Sequence, residues 1–430
     1  MWSSDRLQIV LAGSVRGISV RRFKLICVFA IAYCLNFSVG NGDTIGVITA
    51  KTFTPPGMVR PASGDGKTND TDVLQADIDY ALAHQDALEL EAGTYLISKP
   101  LVIEIAKGVT VAGFHLYGQS GPNRNGDVSL GGVAIKLTAS GGRNSAVLEV
   151  GHGTFRDLII ENVGLIGGVV NNGIPYGMLF YGNGFSHATI NNVAVTRVQT
   201  AFAEVSDRTT NEANGEFVDL NECSGNYCNN FYVNSFGQAY AHHLVNCCAS
   251  LYPGGTFIEI GSGSLANSLD AFGVSCSFIY SSPGGPDTFI KNDGINGNIN
   301  IWGGRVEHVD TVLAYVGGSF NEMGQVNIQG VHFTSLSGDY PFINARLGNS
   351  SAQWTNTLEN CRFDGRPASE NKPSLSLAAV DGDLSQSYFD KCVFTGFANK
   401  LTSLNLSSMG IVVTNCRSDS PGSRQLAMLR

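Results

Sequence analysis

Leu358-Glu359-Asn360-Cys361-Arg362-Phe363 is one copy of a phrase that runs through the whole chain. It consists of an apolar residue, a spacer, a polar residue that is most often Asn, then Cys or Val. Further copies are anchored at Val163, Val193, Cys223, Cys247, Cys276, Val306, Val331, Cys392 and Cys416. Successive anchors fall 30, 30, 24, 29, 30, 25, 30, 31 and 24 residues apart. Self-similarity at this period marks a solenoid. Each copy is a short alternating run rich in Val, Ile and Phe with Gly or polar punctuation, which is strand chemistry. No amphipathic stretch of helical length lies between Thr154 and Asn415. The economical architecture is an all-β parallel β-helix with one coil per repeat. About ten coils at ~4.8 Å per strand spacing make a rod of roughly 48 Å.

The residue before the anchor supports stacking. Asn162, Asn192, Asn246, Asn360 and Asn415 recur there. Asn tolerates left-handed backbone angles and bonds its own neighbours, so these positions predict a buried Asn ladder at one tight bend. Cys223, Cys247, Cys276, Cys361, Cys392 and Cys416 sit at the inward anchor, where a thiol packs as a small hydrophobe. Cys228 lies off this ladder, which makes Cys223–Cys228 the pair expected to bridge if any does. No CxxC pair or His/Cys spacing points to zinc.

A chain of 430 residues with 52 Gly and 15% charged residues fits one elongated, turn-rich domain. From Asn41 onward 22 basic residues face 35 acidic ones, a balance that excludes a nucleic-acid footprint. Arg21, Arg22 and Lys24 precede the apolar run Leu25–Phe37, followed by the small residues Ser38-Val39-Gly40. The run is too short to span a bilayer and has the make-up of an export signal covering residues 1–40. The expected order is then a flexible stretch over 41–59, the β-helix over 60–420 and a tail over 421–430. Secretion or a periplasmic location follows from the signal, and Cys27 and Cys34 leave with it.

The most specific local motif is Ser63-Gly64-Asp65-Gly66-Lys67-Thr68-Asn69-Asp70-Thr71. Asp70 is a good N-cap, and Leu74, Ile78, Ala81 and Leu82 fall on one face of a following helix. Two strands then alternate around Gly93. A helix ahead of the first coil reads as a cap over an otherwise open end.

GDGKTNDT, the helix and EAGTYLISKPL together resemble the start of the pectate-lyase-like superfamily of right-handed parallel β-helix proteins. That superfamily includes rhamnogalacturonase- and glucanase-like enzymes and tailspike depolymerases. The specific match covers Ser63–Ile103, and the repeats extend it loosely to Cys416. The resemblance implies a right-handed helix, a polysaccharide substrate, and a homotrimer as one arrangement among relatives. It does not fix a reaction. Gly151-His152-Gly153 resembles one polygalacturonase motif, but that family's other motifs are absent, as is the pectate lyase Trp-Ile-Asp-His, so His152 reads as a turn residue.

A second ladder begins at Phe202, Phe231, Phe257, Phe289, Leu313 and Phe342. Period-two alternation from those positions turns Glu204, Glu259, Lys291, Asp293, Tyr315, Asn344 and Arg346 outward. The resemblance implies that this strand borders the substrate groove. Glu259 and Asp293, offset by one coil, fall about 5–8 Å apart, the range of a glycosidase carboxylate pair. The catalytic candidates are therefore Glu259, Asp293, Glu204 and Lys291. In a lyase, Lys291 or Arg346 would act as base or neutralise a uronate, and Ca2+ would enter as a cofactor; otherwise neither metal nor cofactor is called for. Tyr315, Asn344 and Arg346, with Glu307 and His308 at a second corner, are the substrate-binding candidates. Ordinary solvated charges on an outer face are the competing explanation. The functional readings are polysaccharide cleavage by hydrolysis or elimination, non-catalytic polysaccharide binding or a cell-surface structural role, and epimerase or transferase chemistry on a polymer.

Overall fold

The computed structural model describes residues 46–419 apart from 106–109, 112, 123–131, 139–145, 152–153, 169–173, 182–186, 206–213, 236–237, 262–264, 280–285, 293–295, 317–323, 338–339, 347–353, 366–376, 381–385 and 398–410. The export segment, His152, Asp293 and residues 421–430 lie outside the described residues. Strands pair in parallel with the equivalent strand one coil on, and three such ladders wrap one apolar core. Sheet A includes Leu158–Glu161, Ala188–Asn191, Val218–Asn221 and His242–Val245. Sheet B includes Gly164–Ile166 and Ala194–Thr196; sheet C includes Tyr176–Tyr181, Thr200–Val205, Thr288–Asn292 and Thr311–Val316. Longer strands turn corners without breaking: Cys248–Ile260 serves sheets B and C, while Leu265–Phe278 and Asn296–Glu307 serve sheets A and B. The first pairing lies earlier than residue 60, since Val47–Thr49 pairs with Ala87–Leu90.

The bend between sheets A and B is made by backbone conformation. Asn162, Asn192, Glu222, Asn246, Gly273, Gly303, Gly330, Asn360, Lys391 and Asn415 all hold φ between 49° and 69° there. The ladder is not buried, however: Asn246, Asn360 and Asn415 are exposed, and Glu222, Gly273, Gly303, Gly330 and Lys391 interrupt the row of Asn at the bend. Asn192 Nδ2 does donate to Asn162 Oδ1 at 2.8 Å, but Asn415 turns instead to Asp390. What selects Asn is its tolerance of the left-handed region. The strand registers also move two anchors. Val274 and Gly304 occupy the corner, so Cys276 and Val306 lie two residues past it. Gly replaces Asn at those bends, which removes the polar marker.

The inward thiols donate back to the preceding coil. Cys223 Sγ meets Ile190 O at 3.3 Å, Cys247 meets Leu220 O at 3.2 Å, and Cys392 meets Leu358 O at 3.2 Å. All eight cysteines among the described residues are free, so Cys223 and Cys228 are not bridged. Each is buried with a carbonyl acceptor of its own, Cys228 using Asn226 O at 3.4 Å.

At the N-terminal end, helix α1 (Thr71–His84) buries Leu74, Ile78 and Ala81. Asp70 does not cap it with its side chain. Its buried carboxylate instead accepts from the backbone N–H groups of Ser63 and Gly64 and from Arg60, each at 2.9 Å. Asn69 Oδ1 takes the capping role, accepting from Thr71 N at 3.1 Å. A Cβ on Gly93 would lie 2.3 Å from Gly64 O. The motif is thus a structural knot that fixes the cap on the first coil.

Candidate functional site

On the outer face of sheet C, the register aligns Ala203, Val233, Glu259, Lys291, Ala314 and Asn344 in one column. Glu259 and Lys291 are outward as expected, and they neutralise each other at 2.6 Å. Asn344 is half-buried in the same column. Glu204 and Tyr315 point inward, contrary to expectation. Phe202 pairs with Tyr232 and Leu313 with Ile290, so both strands are slipped by one residue relative to the assumed frame. A one-residue slip exchanges the faces.

Glu204 is instead the centre of a buried network. Tyr232 Oη donates to Glu204 Oε1 at 2.7 Å, His242 Nδ1 lies 3.1 Å from that oxygen, and Asn234 reaches Oε2 at 3.4 Å. Tyr315 donates to Asn356, and burial pushes its phenol well above the usual range. Each group is satisfied by its own partners inside the coil and is closed to a polymer. Arg346 pairs through its backbone with Val316. Asp293 falls outside the described residues, so the expected Glu259–Asp293 pair is not assembled among them.

A concave surface lies on sheet B. A groove of about 670 Å³ runs across coils from Glu222 and Asn226 to Arg305 and Glu307. Its floor is Cys248, Ser250, Ser275 and Ser277, and Asn246 and Gly273 form its edge at the left-handed corner. Short side chains in successive coils leave the depth. Glu307 is the one expected site residue that lines it, held by Arg305 at 2.7 Å. His308 does not line it and takes up a left-handed turn with φ of 60°. Hydroxyls, amides and carboxylates offer donors and acceptors in the mixture that polyhydroxylated ligands require.

Around that corner, the outer face of sheet A carries a second cluster. Asp219 Oδ1 accepts from His243 Nδ1 at 2.6 Å, and Oδ2 lies 3.4 Å from His187 Nε2. Burial opposes the Asp219 charge, but hydrogen bonds from the two imidazoles outweigh it and bring the carboxyl down to about 2. The same bonds raise both imidazoles above their ordinary value. Asp270 pairs in register with His243 and accepts from Asn300 Nδ2 at 2.8 Å. Two residues along those strands, Phe272 and Trp302 stack at 4.7 Å between centroids, with Phe272 41% exposed. Among the described residues, no cluster of His, Cys, Asp and Glu is arranged to hold a metal ion.

No family model and no curated protein matches this chain. Solved structures match it in fold. ORF18 of Geobacillus virus E2 superposes with a TM-score of 0.49 and 14% identity, covering 89% of this chain and 66% of that protein. The gp42 tailspike of Acinetobacter phage vb_AbaP_AS12 gives 0.50 and 10%, covering 88% and 63%. The A-module of the mannuronan C-5 epimerase AlgE6 from Azotobacter vinelandii gives 0.39 and 14%, covering 84% and 98%. The chain spans about two thirds of the length of the first two. The fold is the right-handed parallel β-helix.

Within this β-helix, sequence reasoning missed Asp219, His243 and Asp270. A signal for them existed. Asp219 and His243 each stand four residues before a Cys anchor, and Asp270 stands four before Val274, the true corner residue. Reading that offset from the Cys anchors places Asp219 and His243 on one outer column, and Asp270 joins them once Val274 replaces Cys276 as the corner residue.

Proposed function

We propose that the protein is an exported, polysaccharide-acting β-helix protein whose polymer lies in the sheet B groove. The groove is the observation that carries this reading, because it joins a concave surface to a lining of short polar side chains. A polymer chain running along the axis would meet a new polar side chain at each coil, about every 4.8 Å, in the order Asn226, Ser250, Ser277 and Glu307. The balance of charge favours a neutral polymer. Arg305 is committed to Glu307 at 2.7 Å, and Glu222 is acidic, so a polyuronate would meet no surplus of cations in the lining.

The groove's own carboxylates do not form a cleaving pair. Glu222 and Glu307 stand three coils apart, about 14 Å along the axis, beyond the roughly 6.5–9.5 Å of an inverting site. Binding is therefore the groove's role, and cleavage belongs to residues beside it. Native gel electrophoresis through gels containing neutral or acidic polysaccharides tests the reading. Wild type should be retarded by a neutral polymer, and Ser277→Trp, which fills the floor, should weaken retention at least about tenfold. Retention by no polymer, or equal retention of Ser277→Trp, refutes the groove. Export of the chain with cleavage near Gly40 is checked by N-terminal sequencing of secreted protein.

A further inference from the structure

We propose that His243 and Asp270, one coil apart on the outer face of sheet A, form the centre that hydrolyses a neutral polysaccharide, with Asp219 as the positioning residue. The proposal rests on the groove reading for its substrate, and the geometry of the cluster carries the chemistry. His243 Nδ1 is tied to Asp219 at 2.6 Å, which leaves Nε2 as the working nitrogen of a side chain 37% exposed. An imidazole held at one nitrogen by a carboxylate has its orientation and tautomer fixed for proton transfer at the other.

Asp270 supplies the second group. It is the register partner of His243 on the next coil, so the two residues occupy one outward column on strands about 4.8 Å apart. Neighbouring positions on adjacent strands suit the close pair of a retaining glycosidase, whose two groups stand roughly 5–5.5 Å apart. Asn300 holds Asp270 Oδ1 at 2.8 Å, which orients the carboxylate. The Phe272–Trp302 stack forms an apolar wall on the same two strands. Phe272 adjoins Gly273 at the groove edge, so a chain leaving the groove over this corner reaches the cluster directly. The charged groups acting on the imidazole are Asp219, Asp270 and His187, the last of which also meets Asp157, and among these described residues there is no Lys or Arg to neutralise a uronate. Elimination next to a uronic acid is therefore disfavoured relative to hydrolysis.

The steps balance. Asp270 attacks the anomeric carbon as the glycosidic C–O bond breaks, and the leaving oxygen takes the proton from His243 Nε2. Neutral His243 then removes a proton from water, whose oxygen displaces Asp270. One water is consumed, one new reducing end forms, and configuration is retained.

The test uses the full chain on the neutral polymer that retains it in the gel, following reducing ends and the product anomer by NMR. Wild type should release reducing ends with retention. His243→Gln and Asp270→Asn should each lower kcat at least about 100-fold while gel retention persists. Asp219→Asn should move the alkaline limb of kcat/KM to lower pH, because the imidazolium loses its stabilising partner; loss of fold alone leaves that limb in place. His115→Gln removes another imidazole–carboxylate pair on the same sheet, His115–Glu161 at 3.0 Å, and should change nothing. A wild type that is retained yet releases no ends, variants that cleave at the wild-type rate, or an inverted product each overturn the proposal. A wild type retained by no polymer overturns the groove reading and this one with it.

Discussion

Asp77 in helix α1 offers the sharpest perturbation. It is fully buried, and neither carboxylate oxygen has a hydrogen-bond partner among the described residues. Burial, reinforced by the negative charges of Glu91 and Asp70, pushes its carboxyl from 3.8 up to about 7. Arg60 does not relieve it, being engaged by Asp70 at 2.9 Å. The folded state thus holds a proton that the unfolded chain releases above 3.8. Stability from this group is complete below about pH 4 and lost progressively as pH rises toward 7. Three pKa units at ~1.4 kcal/mol each set the whole loss at about 4 kcal/mol. Asp77→Asn keeps the shape and removes the titration. Solenoids open locally, so the measurement is hydrogen exchange of the α1 amides, corrected for intrinsic rate, in both proteins from pH 4.5 to 8. The advantage of Asp77→Asn over wild type should grow by about 3 kcal/mol across that interval. The difference is what matters, since His187 and His243, raised by Asp219, also lose stabilisation as pH climbs through their folded values. A gap that stays constant or narrows with pH would falsify the argument.

Two further outcomes follow from the backbone and the thiols. Asn360 is exposed with φ of 53°, so Asn360→Ala should cost about 1–2 kcal/mol in urea unfolding through the left-handed penalty, while Asn360→Gly should not. An equal loss in both variants points to side-chain bonding instead. Cys248 is the half-buried thiol among seven buried ones in the described residues, with burial pushing Cys228 up to about 12. Native titration with a thiol reagent should therefore lose one fast-reacting group in Cys248→Ser, and an unchanged fast phase would contradict the groove's openness.

The coils were legible because one corner repeats one backbone conformation, and that conformation is written in Asn, Gly and the thiol or Val that follows. The outer face of sheet C was only half legible, for a specific steric reason. Each sheet C strand opens with two successive inward residues: Phe257 with Ile258, Phe289 with Ile290, Val312 with Leu313, and Phe342 with Ile343, all buried. The corner turns the first of each pair into the core before alternation begins, so period two has to be counted from the second. Where the first residue is small or β-branched, as at Ala201 and Val312, the large residue that follows mimics the start of the strand. Counting from Phe202 and Leu313 then sends Glu204 and Tyr315 outward on paper, although both are buried. Glu259, Lys291 and Asn344 came out on the right face because Phe257, Phe289 and Phe342 are true first members. The same logic explains why sheet A was the better place to search. Its strands enter from the opposite side of the bend and keep clean alternation, as in the Ala188–Asn191 and Val218–Asn221 burial patterns. Outward identity there is set by distance from the corner alone, and that distance brings Asp219, His243 and Asp270 into one column.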